Sequence, residues 1–75
     1  MDSMDRGDAL RVLESLFDRA TFVSFARMEA ATGLEHGQIL VLKPELQERL
    51  RAGDRSVSLT SMVHLRRPGF FLEVG

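Results

Sequence analysis

Val57-Ser58-Leu59-Thr60-Ser61-Met62-Val63-His64-Leu65 sets an apolar side chain at almost every second position, and Phe70-Phe71-Leu72-Glu73-Val74 resumes the pattern after Arg66-Arg67-Pro68-Gly69. A two-residue period belongs to a strand with one covered face, so Val57, Leu59, Val63 and Leu65 are expected inward with Phe70, Leu72 and Val74. Ser58, Thr60, Met62, His64 and Arg66 then face outward. Pro68-Gly69 favours a type II turn, whose twist suits two-residue hairpins poorly, so the spacing predicts a loop of about four residues at 66–69. The two segments read as a C-terminal antiparallel hairpin with a basic tip.

Upstream of the hairpin the period is helical. Leu46 and Leu50 share a face of a segment over 44–52 with Gly53 as its stop, and Ile39 and Leu42 share a face of a segment over 35–42. Pro44 lacks the donor that a helix interior uses but suits a first turn, so the sequence leaves open two helices or one kinked helix. Phe25, Met28 and Ala31 form the inward stripe of another short helix, which Ser24 caps and Gly33 ends in the left-handed conformation. Thr21-Phe22-Val23-Ser24 reads as an extended link. Leu10, Leu13, Leu16, Phe17 and Ala20 recur at three- and four-residue intervals and predict a helix over 9–20 capped by Asp8. Residues 1–7 read as a frayed lead-in. The expected fold is α+β: a single domain over 8–75 with three to four short helices followed by a two-stranded hairpin.

The chain has 75 residues, no Cys and two His. That length holds one core, and domains this small are often supported by disulfides, metals or a second subunit. Cysteine bridges are closed to it, and His36 and His64 are too few for a structural zinc site, which leaves dimerisation. No apolar run reaches the ~20 residues of a membrane span, and the acidic Met1-Asp2-Ser3-Met4-Asp5 start is unlike a signal peptide. A cytoplasmic location is expected, with no membrane partner. The net charge of −1 conceals an asymmetry: residues 1–48 hold five basic and nine acidic side chains, and residues 49–75 hold five and two. An anionic partner is therefore expected at the C-terminal third.

The order helix, extended link, helix, Thr32-Gly33-Leu34 turn, helix and basic hairpin resembles the winged helix-turn-helix domains of small bacterial or phage regulators. Phe25-Ala26-Arg27-Met28-Glu29-Ala30-Ala31-Thr32-Gly33-Leu34 is similar to their first helix and turn, and Leu46-Gln47-Glu48-Arg49-Leu50-Arg51-Ala52-Gly53 to the end of their recognition helix. The resemblance implies a DNA-binding transcriptional regulator that holds duplex DNA by a helix-turn-helix and a wing. Arg66 and Arg67 are the candidate wing contacts, and Arg49, Arg51 and Arg55 would extend them into one basic face. His36 and Gln38 are the candidate base readers on the third helix, with Lys43 beside them.

A second class of function stays open. Leu40 and Val41 cannot both face the core that holds Ile39 and Leu42, because four consecutive positions sweep most of a helical turn. With Met62 and Phe71 on the outer face of the hairpin they form an apolar surplus that a homodimer or protein partner would cover. The alternative is thus a winged-helix-like interaction module that docks on a larger complex without touching nucleic acid. No phosphate loop, nucleophile elbow, carboxylate pair or metal-ligand spacing is present, so neither an enzyme, a cofactor nor a small-molecule substrate is expected.

Overall fold

A computed structural model describes residues 4–51 and 56–74. The elements run α1 (Arg6–Leu16), β1 (Phe22–Ser24), α2 (Phe25–Thr32), α3 (His36–Leu50), β2 (Val57–His64) and β3 (Arg67–Val74). The three strands form one antiparallel sheet in the order β1-β3-β2. This is the expected α+β, winged-helix-like arrangement, with a third strand added.

That strand is the segment read as a link. Val23 pairs with Phe70 and Ser24 with Gly69, and the Leu72 amide donates to the Thr21 carbonyl at 2.6 Å. β3 therefore becomes the central strand. Its Phe70 is fully buried among Leu10, Leu13, Val23, Met28, Ile39 and Leu46, with the Phe25 ring edge-on at 5.0 Å. Seven such side chains, each contributing about 1.5–3 kcal/mol on burial, are the main source of stability in so small a chain.

The helix boundaries shift for local reasons. α1 begins ahead of residue 9, because Asp5 rather than Asp8 caps it by accepting the Asp8 amide at 2.9 Å. It ends at Leu16, where the Phe17 and Asp18 amides bond back to the Glu14 and Ser15 carbonyls, so Ala20 packs from a loop. In α2, Ser24 caps the Arg27 amide at 3.2 Å and Gly33 takes φ 75°, both as the sequence implies. Thr32, not Ala31, is the fully inward residue of its last turn; its hydroxyl donates to the Met28 carbonyl and accepts from the Leu34 amide.

α3 is one helix with Pro44 inside it. The missing amide leaves the Leu40 carbonyl without its partner, at a cost of about 3 kcal/mol. Ile39 and Leu42 before the interruption and Leu46 after it lie buried and hold both halves to the core, while Pro44 is exposed. Burial outweighs the lost bond. The proposed stop at Gly53 lies outside the described residues.

The hairpin departs most from expectation. The turn has two residues, Leu65 and Arg66, at φ 51° and 66°, closed by the pair His64 and Arg67. Two successive positive φ angles give the primed turn whose twist matches the flanking strands, and strand twist prevails over the type II preference of Pro68-Gly69. Pro68 and Gly69 sit in β3 instead. The closing pair of a two-residue hairpin is hydrogen-bonded and antiparallel ladders alternate, so the Pro68 nitrogen points away from β2, towards the side where β1 has already ended. No ladder bond is lost. Gly69 is required by proximity: a Cβ there would stand 2.2 Å from the Val23 carbonyl oxygen and 2.7 Å from the Ser24 Cα.

Val63 and Leu65 are not inward, being 64% and 82% exposed. Val63 keeps the face expected for it but is left bare, and Leu65 lies in the turn. Val74, at the other end of the hairpin, is also exposed although its cross-strand partner Val57 is buried.

Candidate nucleic-acid interface

α3 lies along β2 with a fixed pitch. Gln47 Oε1 accepts the Leu59 amide at 3.0 Å, and Lys43 Nζ donates to Ser61 Oγ at 3.2 Å while standing 5.4 Å from the Phe70 ring centroid. Four helical residues rise about 6 Å and two strand residues about 6.8 Å, so each turn of α3 matches two residues of β2. The next step sets Ile39 level with Val63. The first turn of α3 then falls beside the hairpin turn, and His36 accordingly shares a groove with Arg66, Arg67 and Pro68.

This groove adjoins a second one, and the two share Ser24, Ala26 and Arg67. The first is also lined by Phe25 and Glu29; the second adds Phe22, Arg27 and His64. The aromatic neighbours fix the imidazoles, with the His36 ring 3.9 Å from that of Phe25 and the His64 ring 5.2 Å from that of Phe22. Arg27, Arg66 and Arg67 therefore stand with both histidines around one open surface at the start of α2. Among the described residues these three arginines form no salt bridge. Glu29 is the carboxylate on the rim.

The other sequence candidates lie elsewhere. Arg49 is held by Glu14 at 3.6 Å and Glu45 at 4.0 Å, and Arg51 by Glu48 at 3.3 Å. Both sit at the far end of α3 from the hairpin turn, so they do not join Arg66 and Arg67 in one face. Gln38 Oε1 accepts the Glu35 amide at 2.9 Å as part of the helix cap, and the residue lines a different depression with Met4, Arg6, Leu34 and Val41. Lys43 is turned to β2. Arg55 lies outside the described residues.

The apolar candidates divide similarly. Leu40 and Val41 are 41% and 70% exposed, on the flank of α3 and on its outer side. Met62, 36% exposed, and Phe71, half-buried, lie on the outer sheet face with Phe22. Val63 and Leu65 add to this surplus.

Sequence reasoning missed Arg27 and His64. Arg27 follows Ser24 by three residues, so once Ser24 is read as the cap the Arg27 side chain belongs to the first turn of α2, beside the strand end. That signal was present. The proximity of this turn to the hairpin was not, because it depends on β1 pairing with β3.

No protein-family model matches the chain, and no curated protein or solved structure matches it. No helix among the described residues is long and apolar enough to cross a membrane.

Proposed function

We propose that the protein is a small duplex-DNA-binding regulator that grips the phosphate backbone through the surface around the hairpin turn and the start of α2, and that it works in the cytoplasm. The observation carrying this reading is the convergence of Arg27, Arg66 and Arg67, from two separate parts of the chain, on one open surface flanked by His36 and His64. Gathering three like charges with only Glu29 on the rim is unfavourable for the isolated domain, and an anionic ligand reverses that sign. Guanidinium groups suit phosphate by their forked donors.

In this reading α3 supports the surface and does not read bases. Leu40, Val41 and Pro44 have no side-chain donors for base edges, and Gln38 caps its own helix. Binding is then carried by backbone contacts and varies little with sequence. The test is a fluorescence-anisotropy titration against random duplexes over a salt series. Each phosphate neutralised contributes roughly −0.9 to the slope of log affinity against log salt, so three arginines give a slope near −3. Absence of duplex binding even at low salt overturns the proposal.

One observation favours the other class. The exposed flank of α3, with Leu40 and Val41, is apolar, as a module that docks on a larger protein complex would require. Under that reading the same titration gives no binding.

A further inference from the structure

β2 is an edge strand, and beyond Leu59 its outward main-chain groups are free, although the Lys43 side chain reaches the Ser61 hydroxyl. His64 and Arg67 are the hydrogen-bonded closing pair, so the main-chain groups of Ser58, Thr60, Met62 and His64 point at β3. Those of Val57, Leu59, Ser61 and Val63 point outward. The Leu59 amide is taken by Gln47, whereas the amides and carbonyls of Ser61 and Val63 have no partner outside the sheet among the described residues. Edges are ordinarily guarded by charged side chains, proline or a bulge. Thr60-Ser61-Met62-Val63-His64-Leu65 has no Lys, Arg, Asp, Glu or Pro, and Met62, Val63 and Leu65 are exposed.

We propose that this edge pairs with the same edge of a second copy, antiparallel across a twofold axis at Met62. The register follows from the outward groups. Ser61 must face Val63 of the second copy and the reverse, which sets Met62 opposite its own equivalent at the closely spaced, non-hydrogen-bonded position. Further pairing stops at Leu59, where Gln47 occupies the edge. Valine and methionine side chains left bare in the single chain are covered at the twofold.

Charge favours a second copy over an unrelated strand. Antiparallel pairing keeps the two arginine-bearing turns apart and directs each towards the base of the other hairpin. An exposed carboxylate stands there, that of Glu73, whose residue pairs with Ser58, whereas Glu48 at the end of α3 is already shared with Arg51. The arrangement also closes, because the opposite edge of the sheet is the three-residue β1, too short to extend the ladder. It leaves Arg27, Arg67 and the histidines on the α2 side of each hairpin.

The experiment is sedimentation and amide hydrogen exchange on the whole chain, without nucleic acid, over a concentration series. The expected result is a species of twice the 8.4 kDa chain mass that dissociates on dilution, with Ser61 and Val63 amides slowing as concentration rises. Ser61→Pro and Val63→Lys should each give a monomer that melts as a folded domain, since neither change removes a bond to β3. If a variant does not fold, the wild-type exchange rates decide alone. A monomer at every concentration into the millimolar range, or a dimer whose Ser61 and Val63 amides exchange at a constant rate, overturns the proposal.

Discussion

The base and the tip of the hairpin have the same sequence pattern and opposite surroundings. At the base Val57 and Leu59 are 5% and 4% exposed; at the tip Val63 and Leu65 are 64% and 82% exposed. Val63 belongs to the same strand under a different cover, and Leu65 has passed into the turn. Gln47 and Lys43 tie α3 to β2 at Leu59 and Ser61, and beyond that level only the first turns of the helix remain beside it. Alternation thus tells which side of a strand a residue takes, whereas its burial depends on how far another element reaches. At the base the apolar side chains build the core. At the tip they form surface.

This contrast is broken most severely by charge. Leu59→Asp puts an unpaired carboxylate under α3 at a cost of several kcal/mol, comparable with the whole stability of a small domain, so the variant is expected to be unfolded by circular dichroism. Val63→Asp, two strand steps of the same face further on, should shift stability by no more than about 0.5 kcal/mol, because its side chain already meets water. Equal losses from both would mean that the tip is covered in solution, as the dimer requires at high concentration. Gly69→Ala comes next. Its methyl group would meet main-chain atoms of Val23 and Ser24, which cannot rotate away, so β1 must separate from β3 and a loss of about 3 kcal/mol in chemical denaturation is expected.

The turn itself should respond in the other direction. Leucine in the left-handed region is disfavoured by roughly 1–2 kcal/mol, and asparagine tolerates it better, so Leu65→Asn should raise the melting free energy by about 1 kcal/mol. A loss would mean that the Leu65 side chain is held by a contact such as a second copy.

These expectations also mark what was legible in the sequence. Ser24 and Gly33 were readable because a cap and a left-handed stop are decided within four residues. The face of every β2 residue was readable from the period. Pro68-Gly69 misled because its local preference for a type II turn is worth less than matching the twist of two eight-residue strands. The third strand was hidden for a related reason: three residues have no period of their own, and Phe22-Val23-Ser24 becomes a strand only by pairing with β3. The basic surface was half legible. Arg66 and Arg67 followed from the tip, but their separation from Arg49 and Arg51 depends on the direction in which α3 lies along β2.

That separation gives the last prediction, the one with the smallest expected effect on stability. The C-terminal arginines were read together as one basic face, yet Arg49 and Arg51 are bound to Glu14, Glu45 and Glu48 at the foot of α3, whereas Arg66 and Arg67 stand in the groove by His36. Changing Arg66 and Arg67 together to Ala removes no salt bridge among the described residues, so the melt should move by less than about 0.5 kcal/mol. On duplex DNA the same pair should flatten the salt slope by up to about 2 units and weaken binding to every sequence alike. Arg49→Ala with Arg51→Ala is the control, carrying the same loss of charge at the other end. Its salt slope should stay close to that of the wild type, because short-range phosphate contacts and not total charge set the slope. Exposed ion pairs are worth about 0–1 kcal/mol each, so this control should also remain folded. If both pairs flatten the slope equally, the protein attracts DNA by its overall field and the groove has no special role. If only the Arg66 and Arg67 pair does so, contact lies at the hairpin turn, and Arg27→Ala should add a further loss of about 1 unit.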